Sequence, residues 1–371
     1  MSVSAVEPRI TEYLYQKATA AGVPLSGTFE LTPVCNMDCK MCYVRLSKKQ
    51  QESIAPLKTA QQWLELGERA KKAGMLYLLI TGGEPFMHPQ FREILEGLHA
   101  MGFLISINSN GTLIDESVVQ WLKKCPPTRI NITLYGVSDE MYGRLCGNPK
   151  GFTQTKRAIE LLQQAGISVK LNCSLTPDNA PSVGEMIAFA KERDLPIQVA
   201  GYMFPPVRKD KNAVGDNFRL SPEMAAWYTA YAEYLVLGKE KFLARGCQEG
   251  PMHDPDESCQ GSGDVMRCRA GRCSFWITWQ GNMTPCGMFP GGEDHNVFEE
   301  DFETVWHYVK EQVAQIRLPA PCATCNAKIV CHACGAMVMS ESGDFSKVPR
   351  YRCHMIKAYP AQWQKVKEEI E

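Results

Sequence analysis

The sequence predicts an α/β fold: a partial (β/α)6 TIM-type barrel followed by a small Cys-rich C-terminal domain. Three observations carry that expectation. Between residues 26 and 201 short apolar runs alternate six times with amphipathic stretches, a pattern that calls for parallel strands joined by right-handed helical crossovers. An eight-unit barrel needs roughly 250 residues, so six open units are the economical reading. Ten of the 16 cysteines fall between Cys247 and Cys353, where the chain is also rich in Gly and Pro.

The elements follow in order. TFELT at 28–32 reads as the first strand. Residues 59–73 read as a helix, with Trp63, Leu66, Ala70 and Ala73 on one face, a Thr59/Gln62 capping box and Gly74 as the stop. MLYLLI at 75–80 is a buried strand, and the next helix carries Phe91, Leu95, Leu98 and Met101 and ends at Gly102. FLISIN (103–108), RINITL (129–134), SVKLNC (168–173) and PIQVA (196–200) complete the strands, with helices at about 115–124, 151–165 and 181–193.

Residues 202–246 break the alternation with a charged, Pro-rich stretch and one helix from Pro222 to about Leu237. After Cys247 only a helix near 302–316 and a terminal helix with Trp363, Val366 and Ile370 show periodicity. Such a segment is expected to depend on metal sites for its fold. The expected organisation is an N-terminal extension (1–25), the barrel core (26–201), a bridging region (202–246) and the Cys-rich domain (247–371).

Charge narrows the function classes. Forty Lys+Arg against 41 Asp+Glu leaves a formal charge of -1, whereas nucleic-acid or anionic-membrane binding needs a basic excess. No run of 18 apolar residues is present, and MSVSAVEPRITEYLYQKATA lacks the apolar region of a signal peptide. A cytoplasmic protein is expected. In that reducing compartment, metal or cluster ligation outranks disulfide bonding for so many cysteines.

Cys35, Cys39 and Cys42 follow directly on the first strand, at the C-terminal mouth where barrel enzymes do their chemistry. Three thiolates on a short loop can hold three irons of a 4Fe-4S cluster and leave the fourth open, whereas a closed zinc or ferredoxin site wants four ligands. A zinc loop completed by a remote ligand is the alternative. The second strand ends in Thr81-Gly82-Gly83-Glu84-Pro85.

The triplet and this turn together resemble the radical S-adenosylmethionine (radical SAM) superfamily, with its Cys-x3-Cys-x2-Cys loop, adjacent aromatic residue and GGEP motif. Here Met41 precedes Cys42 and the aromatic is Tyr43, where the resemblance places it near the adenine. Gly82 and Gly83 would let the backbone approach the methionine moiety, and Glu84 with neighbouring carbonyls, ahead of Pro85, would take up its ammonium group. Asn108 to Thr112 resemble the polar Asn-Gly turn of the third strand; an ordinary turn is the alternative. Thr133 and Arg144 resemble the Ser and Arg that contact cofactor ribose and carboxylate in sulfatase-maturase relatives. Tyr135 stands where those relatives have an acid, and an Arg in a loop is more commonly a solvated charge.

Cys268, Gly281 and Cys286, then Cys322-x2-Cys325-x5-Cys331-x2-Cys334, then Cys353, resemble the seven-cysteine SPASM domain with its auxiliary iron-sulfur clusters. By that resemblance Cys322, Cys325, Cys331 and Cys353 hold one cluster, and Cys268, Cys286 and Cys334 the other. Cys259 or Cys273 would supply a fourth ligand to the second set, or its iron would stay open. Structural zinc is the alternative for Cys-x2-Cys pairs. Cys125, Cys146 and Cys173 read as small apolar fillers, and Trp276 and Trp279 as core.

The resemblance implies a radical SAM/SPASM enzyme that reductively cleaves S-adenosylmethionine and abstracts hydrogen from a peptide or protein substrate, fed by a flavodoxin or ferredoxin-type electron donor. Only 34 residues precede Cys35, so a separate N-terminal peptide-recognition domain is not expected. A small-molecule substrate is the first alternative. A non-catalytic iron-sulfur electron-transfer protein is the second, and it offers no use for GGEP.

Overall fold

The computed structural model describes residues 9–206, 218–247, 262–290 and 295–371. After helix α1 (Ile10–Ala21), six parallel strands alternate with helices: β1 (Ser26–Glu30), α2 (Lys48–Ile54), α3 (Ala60–Lys72), β2 (Tyr77–Thr81), α4 (Phe91–Ala100), β3 (Leu104–Ser109), α5 (Glu116–Leu122), β4 (Arg129–Thr133), α6 (Asp139–Cys146), α7 (Gly151–Gln164), β5 (Val169–Ser174), α8 (Val183–Lys191) and β6 (Ile197–Ala200). Each strand pairs in parallel with the next. This is the partial barrel that the alternation predicts.

Side-chain alternation explains the layering. Phe29, Leu78, Ile80, Ile105, Ile107, Ile130, Ile132 and Leu171 point to the helical layer and are buried with Trp63, Leu66, Leu95 and Leu98. The intervening Glu30, Asn108, Asn131 and Asn172 lie on the opposite face, the barrel interior. A parallel strand buried on both faces is normally apolar throughout, so polar residues on one face mark an interior that is not a packed core. The capping box expected at the start of α3 is present, with Thr59 N–H donating to Gln62 Oε1 at 2.8 Å and Gln62 N–H to Thr59 Oγ1 at 3.3 Å.

The C-terminal half departs from expectation. It contributes β7 (Ser262–Val265), β8 (Ser274–Ile277), β9 (Met283–Thr284) and β10 (Arg317–Pro319). β8 adds in parallel to the free side of β1, with Phe29 opposite Ile277, and β9 pairs antiparallel to β8. The sheet therefore has eight strands in the order β6-β5-β4-β3-β2-β1-β8-β9. Some of its apolar residues dock on the barrel's core, while Met266, Val313 and Ile316 form one small cluster of their own and Ala327, Cys331 and Ile356 another. Phe275 meets Phe302 at 5.4 Å and Trp306 at 6.0 Å, and Trp306 Nε1–H donates to Gly22 O at 2.9 Å. The terminal helix Arg350–Ile370 packs against Pro222–Leu237 and, through Trp363 stacked at 5.0 Å on Phe242, against the short helix Lys239–Arg245 that follows it. Local periodicity missed this because two- to four-residue strands carry almost none.

β1 ends two residues earlier than expected, so Leu31 and Thr32 belong to the lead into the cysteine loop. α1, α2 and α6 were not expected. α6 has clear end signals, a Ser138 side chain accepting from Met141 N–H and Gly147 at φ 68°, and it places Arg144 and Cys146 on a helix instead of a loop. Among the described residues no helix is long and apolar enough to cross a membrane.

Phe275→Ala should cost about 3–5 kcal/mol, the usual range for a buried Phe, because its ring joins β8 to the barrel core. Denaturant unfolding measures this. A loss under about 1 kcal/mol would show that β8 is not held through this ring.

Candidate active site

The site begins where β1 and β2 stop being strands but keep pairing. Leu31 N–H donates to Thr81 O at 2.9 Å, Gly83 N–H to Thr32 O at 2.7 Å and Glu84 N–H to Val34 O at 3.0 Å. Residues 82–84 thus run against 32–34. A Cβ on Gly83 would lie 2.5 Å from Val34 O and 2.6 Å from Pro33 O, and one on Gly82 would strike Thr32 O. The close approach that these glycines permit is to the backbone leading into Cys35.

The loop from Cys35 to Cys42 is folded on itself and on the end of α6. Met37 N–H donates to Cys35 Sγ at 3.4 Å and Arg45 N–H to Cys42 Sγ at 3.3 Å. Asp38 N–H donates to Cys146 O at 2.8 Å and Lys40 N–H to Leu145 O at 3.1 Å. Burial pushes the Cys35 thiol up to about 12, and Glu84 adds to the shift. Cys39 is held below the ordinary thiol value, first by a hydrogen bond from Cys146 and then by one from the Tyr135 hydroxyl. Tyr43 is half-buried beside Cys42.

Glu84 is fully buried ahead of the short turn Pro85–Met87. Its Oε1 accepts from Phe86 N–H (3.2 Å) and Ser109 Oγ (2.9 Å), and its Oε2 from Asn110 N–H (2.8 Å). Burial still outweighs these three bonds and pushes the carboxyl up to about 7. Asn110 Nδ2 donates to Asn36 Oδ1 at 2.9 Å and toward Cys35 Sγ at 3.7 Å, and Asn36 Nδ2 donates to Thr112 Oγ1 at 2.8 Å. The turn after β3 is therefore tied to the cysteine loop and to Glu84, beyond what an ordinary turn does.

Thr133 is half-buried at the end of β4, opposite Asn172. Arg144 pairs through Nε with Asp178 at 3.5 Å, and Asp178 also pairs with Lys40 of the cysteine loop at 3.3 Å. Deeper in the interior, Asn131 Nδ2 donates to Asn108 Oδ1 at 2.8 Å and Trp276 Nε1–H to Glu30 Oε2 at 3.1 Å. The Oδ1 atoms of Asn131 and Asn172 are buried without a donor among the described residues.

A second collection of thiols lines a cavity of about 340 Å³: Cys268, Cys322, Cys325, Cys331, Cys334 and Cys353. Burial drives Cys353 up, with Cys331, Cys322 and Cys325 adding, and pushes Cys286 up to about 12, with Cys334 and Cys268 adding. Cys331, Cys322 and Cys325 thus act on Cys353, and Cys334 and Cys268 on Cys286, although Cys268 and Cys334 line the same cavity as the other four. Cys273 faces α1, where it accepts from Thr19 Oγ1 at 3.0 Å and packs on Ala18 and Leu25; Cys259 lies outside the described residues. Among the described residues no three His, Cys, Asp or Glu side chains converge on a point suited to one metal ion.

Several contributors carry no sequence signal. Arg352 donates to Cys331 O at 2.9 and 3.1 Å. Glu341 receives Arg219 at 2.9 Å and the Tyr202 hydroxyl at 2.6 Å, which ties the end of β6 to the thiol-lined segment. Asn110, in the polar turn already noted in the sequence, Tyr135, in the place of an acid, and Cys146, which reads there as a filler, come to the triplet from afar in sequence.

Comparison with known proteins agrees with this geometry. Residues 29–190 match the radical SAM superfamily. The chain is 27% identical over 287 residues to the antilisterial bacteriocin subtilosin biosynthesis protein AlbA of Bacillus subtilis, covering 77% of this chain but 60% of that protein. It therefore spans less than two thirds of that relative's length. It is 23% identical to an AdoMet-dependent heme synthase of Methanosarcina barkeri, covering 87% of this chain and 94% of the synthase. The fold is similar to that of native anSMEcpe with bound AdoMet and Cp18Cys peptide (TM-score 0.68, 19% identity, 94% of this chain and 100% of that one).

Glu84 predicts a pH dependence of stability. The folded chain keeps this proton up to about pH 7, whereas the ordinary value is 4.5. Between those values the folded state binds the extra proton, so stability falls as pH rises, by on the order of 3 kcal/mol in all. Glu84→Gln should flatten that part of the profile of melting temperature against pH for the metal-free chain. Parallel profiles for the two chains would contradict the assignment.

Proposed function

The chain carries a radical SAM domain over residues 29–190, and on that premise we propose that it reductively cleaves S-adenosylmethionine and abstracts hydrogen from a peptide or protein substrate. The observation that carries this reading is the thiol triplet on a loop held by the Gly82-Gly83 turn at the C-terminal mouth of the barrel. The donor set fits an iron-sulfur cluster: three thiols share one loop, and burial with Glu84 nearby disfavours the Cys35 thiolate until a cation takes up its charge. A 4Fe-4S cluster held by Cys35, Cys39 and Cys42 supplies cleavage of S-adenosylmethionine to methionine and a 5'-deoxyadenosyl radical.

The chain's own residues position the reactants. Tyr43 flanks the adenine, the backbone of Gly82 and Gly83 borders the methionine end, and Thr133 offers its hydroxyl to the ribose. Arg144, steadied by Asp178, offers the rest of its guanidinium to the cofactor carboxylate. Glu84 acts as a strut between the turns after β2 and β3. The polar interior below, with acceptors at Asn131 and Asn172, suits a substrate that brings hydrogen-bond donors, as peptide amides do.

Cys322, Cys325, Cys331 and Cys353, and Cys268, Cys286 and Cys334, are proposed as ligands of two auxiliary 4Fe-4S clusters in a SPASM-type domain spanning 247–371, joined to the barrel core (26–201) through the bridging region 202–246. A flavodoxin or ferredoxin-type donor in the cytoplasm supplies the electrons. The peptide reading is supported by AlbA's part in bacteriocin biosynthesis and by the peptide bound to the structurally similar anSMEcpe. A small-molecule substrate is the second reading, favoured by the end-to-end match to the heme synthase. Hydrogen abstraction from a peptide, seen as deuterium transfer into 5'-deoxyadenosine, separates the two.

Replacing Cys35, Cys39 and Cys42 with Ala should abolish reductant-dependent 5'-deoxyadenosine formation while iron in the C-terminal half remains. Retained formation would sink the cofactor assignment. Cys325→Ala should block substrate modification, yet its soluble fraction should still release 5'-deoxyadenosine with excess reductant. Full product yield from that variant would show that the cluster is not needed.

A further inference from the structure

The eight-stranded sheet ends differently on its two sides. At one end β9 is covered: Met283 N–H donates to His295 O at 3.2 Å and Val297 N–H to Gly281 O at 2.9 Å, so residues 295–297 run along its outer side. At the other end β6 pairs with β5 alone. Leu171 N–H donates to Pro196 O at 2.8 Å and Leu175 N–H to Ala200 O at 2.9 Å, and the backbone groups of a parallel strand alternate between its two sides. Pro196, Gln198 and Ala200 therefore face β5, while the N–H and C=O of Ile197 and Val199 face outward. Those outward groups have no hydrogen-bond partner among the described residues.

Exposed edges are commonly blunted by a charge, a proline, a bulge or a covering segment. β6 reads Ile197-Gln198-Val199-Ala200, with no charge and no proline, and its register with β5 is unbroken. Ile197 and Val199 turn their side chains into the helical layer, so Gln198 and Ala200 turn theirs toward the barrel interior. Gln198 is exposed there, opposite Asn172 and accepting from Lys170 Nζ. The interior is thus open on this side, along a strand whose C-terminal end lies at the same mouth as the cysteine loop.

We propose that the outer edge of β6 is the docking strand for the peptide substrate, which adds there as an extended segment hydrogen-bonded to Ile197 and Val199. This rests on the reading that the substrate is a peptide, and it names how that peptide is held. Each outward residue offers one donor and one acceptor, repeated roughly 6.6 Å apart along the strand, and a second extended backbone is the partner that meets that repeat. An added strand keeps the two-residue alternation, so every second side chain enters the interior beside Gln198 while the others stay outside. The four residues of β6 limit the pairing to two outward positions. Backbone bonds then set direction and register for any sequence, and selection falls to the side chains that enter.

The test uses the full-length reconstituted protein. The probe is a capped heptapeptide of alternating Val and Thr, and the control is the same sequence N-methylated at every residue. Amide hydrogen exchange is read at Ile197 and Val199. With the probe at ten times its dissociation constant, both amides should exchange about tenfold more slowly, whereas the control, whose methyl groups hold the backbones apart, should leave them unchanged. Val199→Pro removes one outward N–H, a change that an edge strand accommodates, and it should abolish the protection at Ile197 while the circular dichroism spectrum stays native. Unchanged exchange at both amides with millimolar probe overturns the proposal, as does equal protection by the control, and neither result needs a variant to fold. Protection that appears without peptide and grows with protein concentration, together with a dimer in sedimentation, would give the edge to a second copy of the chain and also overturn it. The peptide reading is judged separately, by deuterium transfer from a peptide into 5'-deoxyadenosine, so its failure and that of the docking edge are told apart.

Discussion

Everything at the mouth of the barrel depends on two backbones running in contact after their strands have ended. Residues 32–34 and 82–84 are joined by alternating N–H to carbonyl bonds, and no side chain larger than hydrogen fits at 82 or 83 without pushing the partner backbone away. That contact fixes where Cys35 leaves the sheet. It also turns Glu84 inward, where its carboxylate reaches both Ser109 and Asn110 and so joins the turn after β3 to the cysteine loop. A short motif thereby orders three consecutive βα connections.

The second dependence runs the other way, from the C-terminal half into the barrel. With only six strands, β1 would present an unpaired edge next to the site, and such edges are commonly covered. β8 covers it, with Phe275 and Ile277 entering the helical layer and Trp276 the interior, where its indole N–H meets Glu30. The Trp276 ring also lies under Gly287, where an added Cβ would be 2.9 Å from it, one residue beyond Cys286. The thiol-rich segment is consequently built onto the sheet that carries the triplet, and its packing does not rest on metal ligation alone.

Legibility follows the range of the interactions. The six βα units were readable because each strand buries one apolar face under helices with 3.6-residue periodicity, and caps such as Thr59 with Gln62 are local. The triplet and the Gly-Gly turn were readable because their spacing is itself the chemistry. β8 was not, since four residues of mixed polarity look like loop until β1 is beside them. α6 had a Ser138 cap and a Gly147 stop in plain view, but only eight residues between them, and without it Cys146 passed for a filler. Asn110 and Asn36 are 74 residues apart, and their hydrogen bond leaves no periodic trace.

Charges of both signs surround each thiol collection, and several are paired. Near the triplet Glu84 acts against the Cys35 thiolate and Asp38 against that of Cys39, while Asp38 is paired with Arg45 at 2.8 Å and Lys40 of the same loop with Asp178 at 3.3 Å. Near the C-terminal thiols Arg352 favours the Cys331 thiolate and Arg272 that of Cys268, while Glu341 acts against that of Cys353 and is itself paired with Arg219 at 2.9 Å. A paired charge acts on a neighbouring thiolate only through the difference in distance of its two members, so burial, the first cause of the raised Cys35, Cys331 and Cys353 thiols, sets the cost of a bare thiolate in both halves.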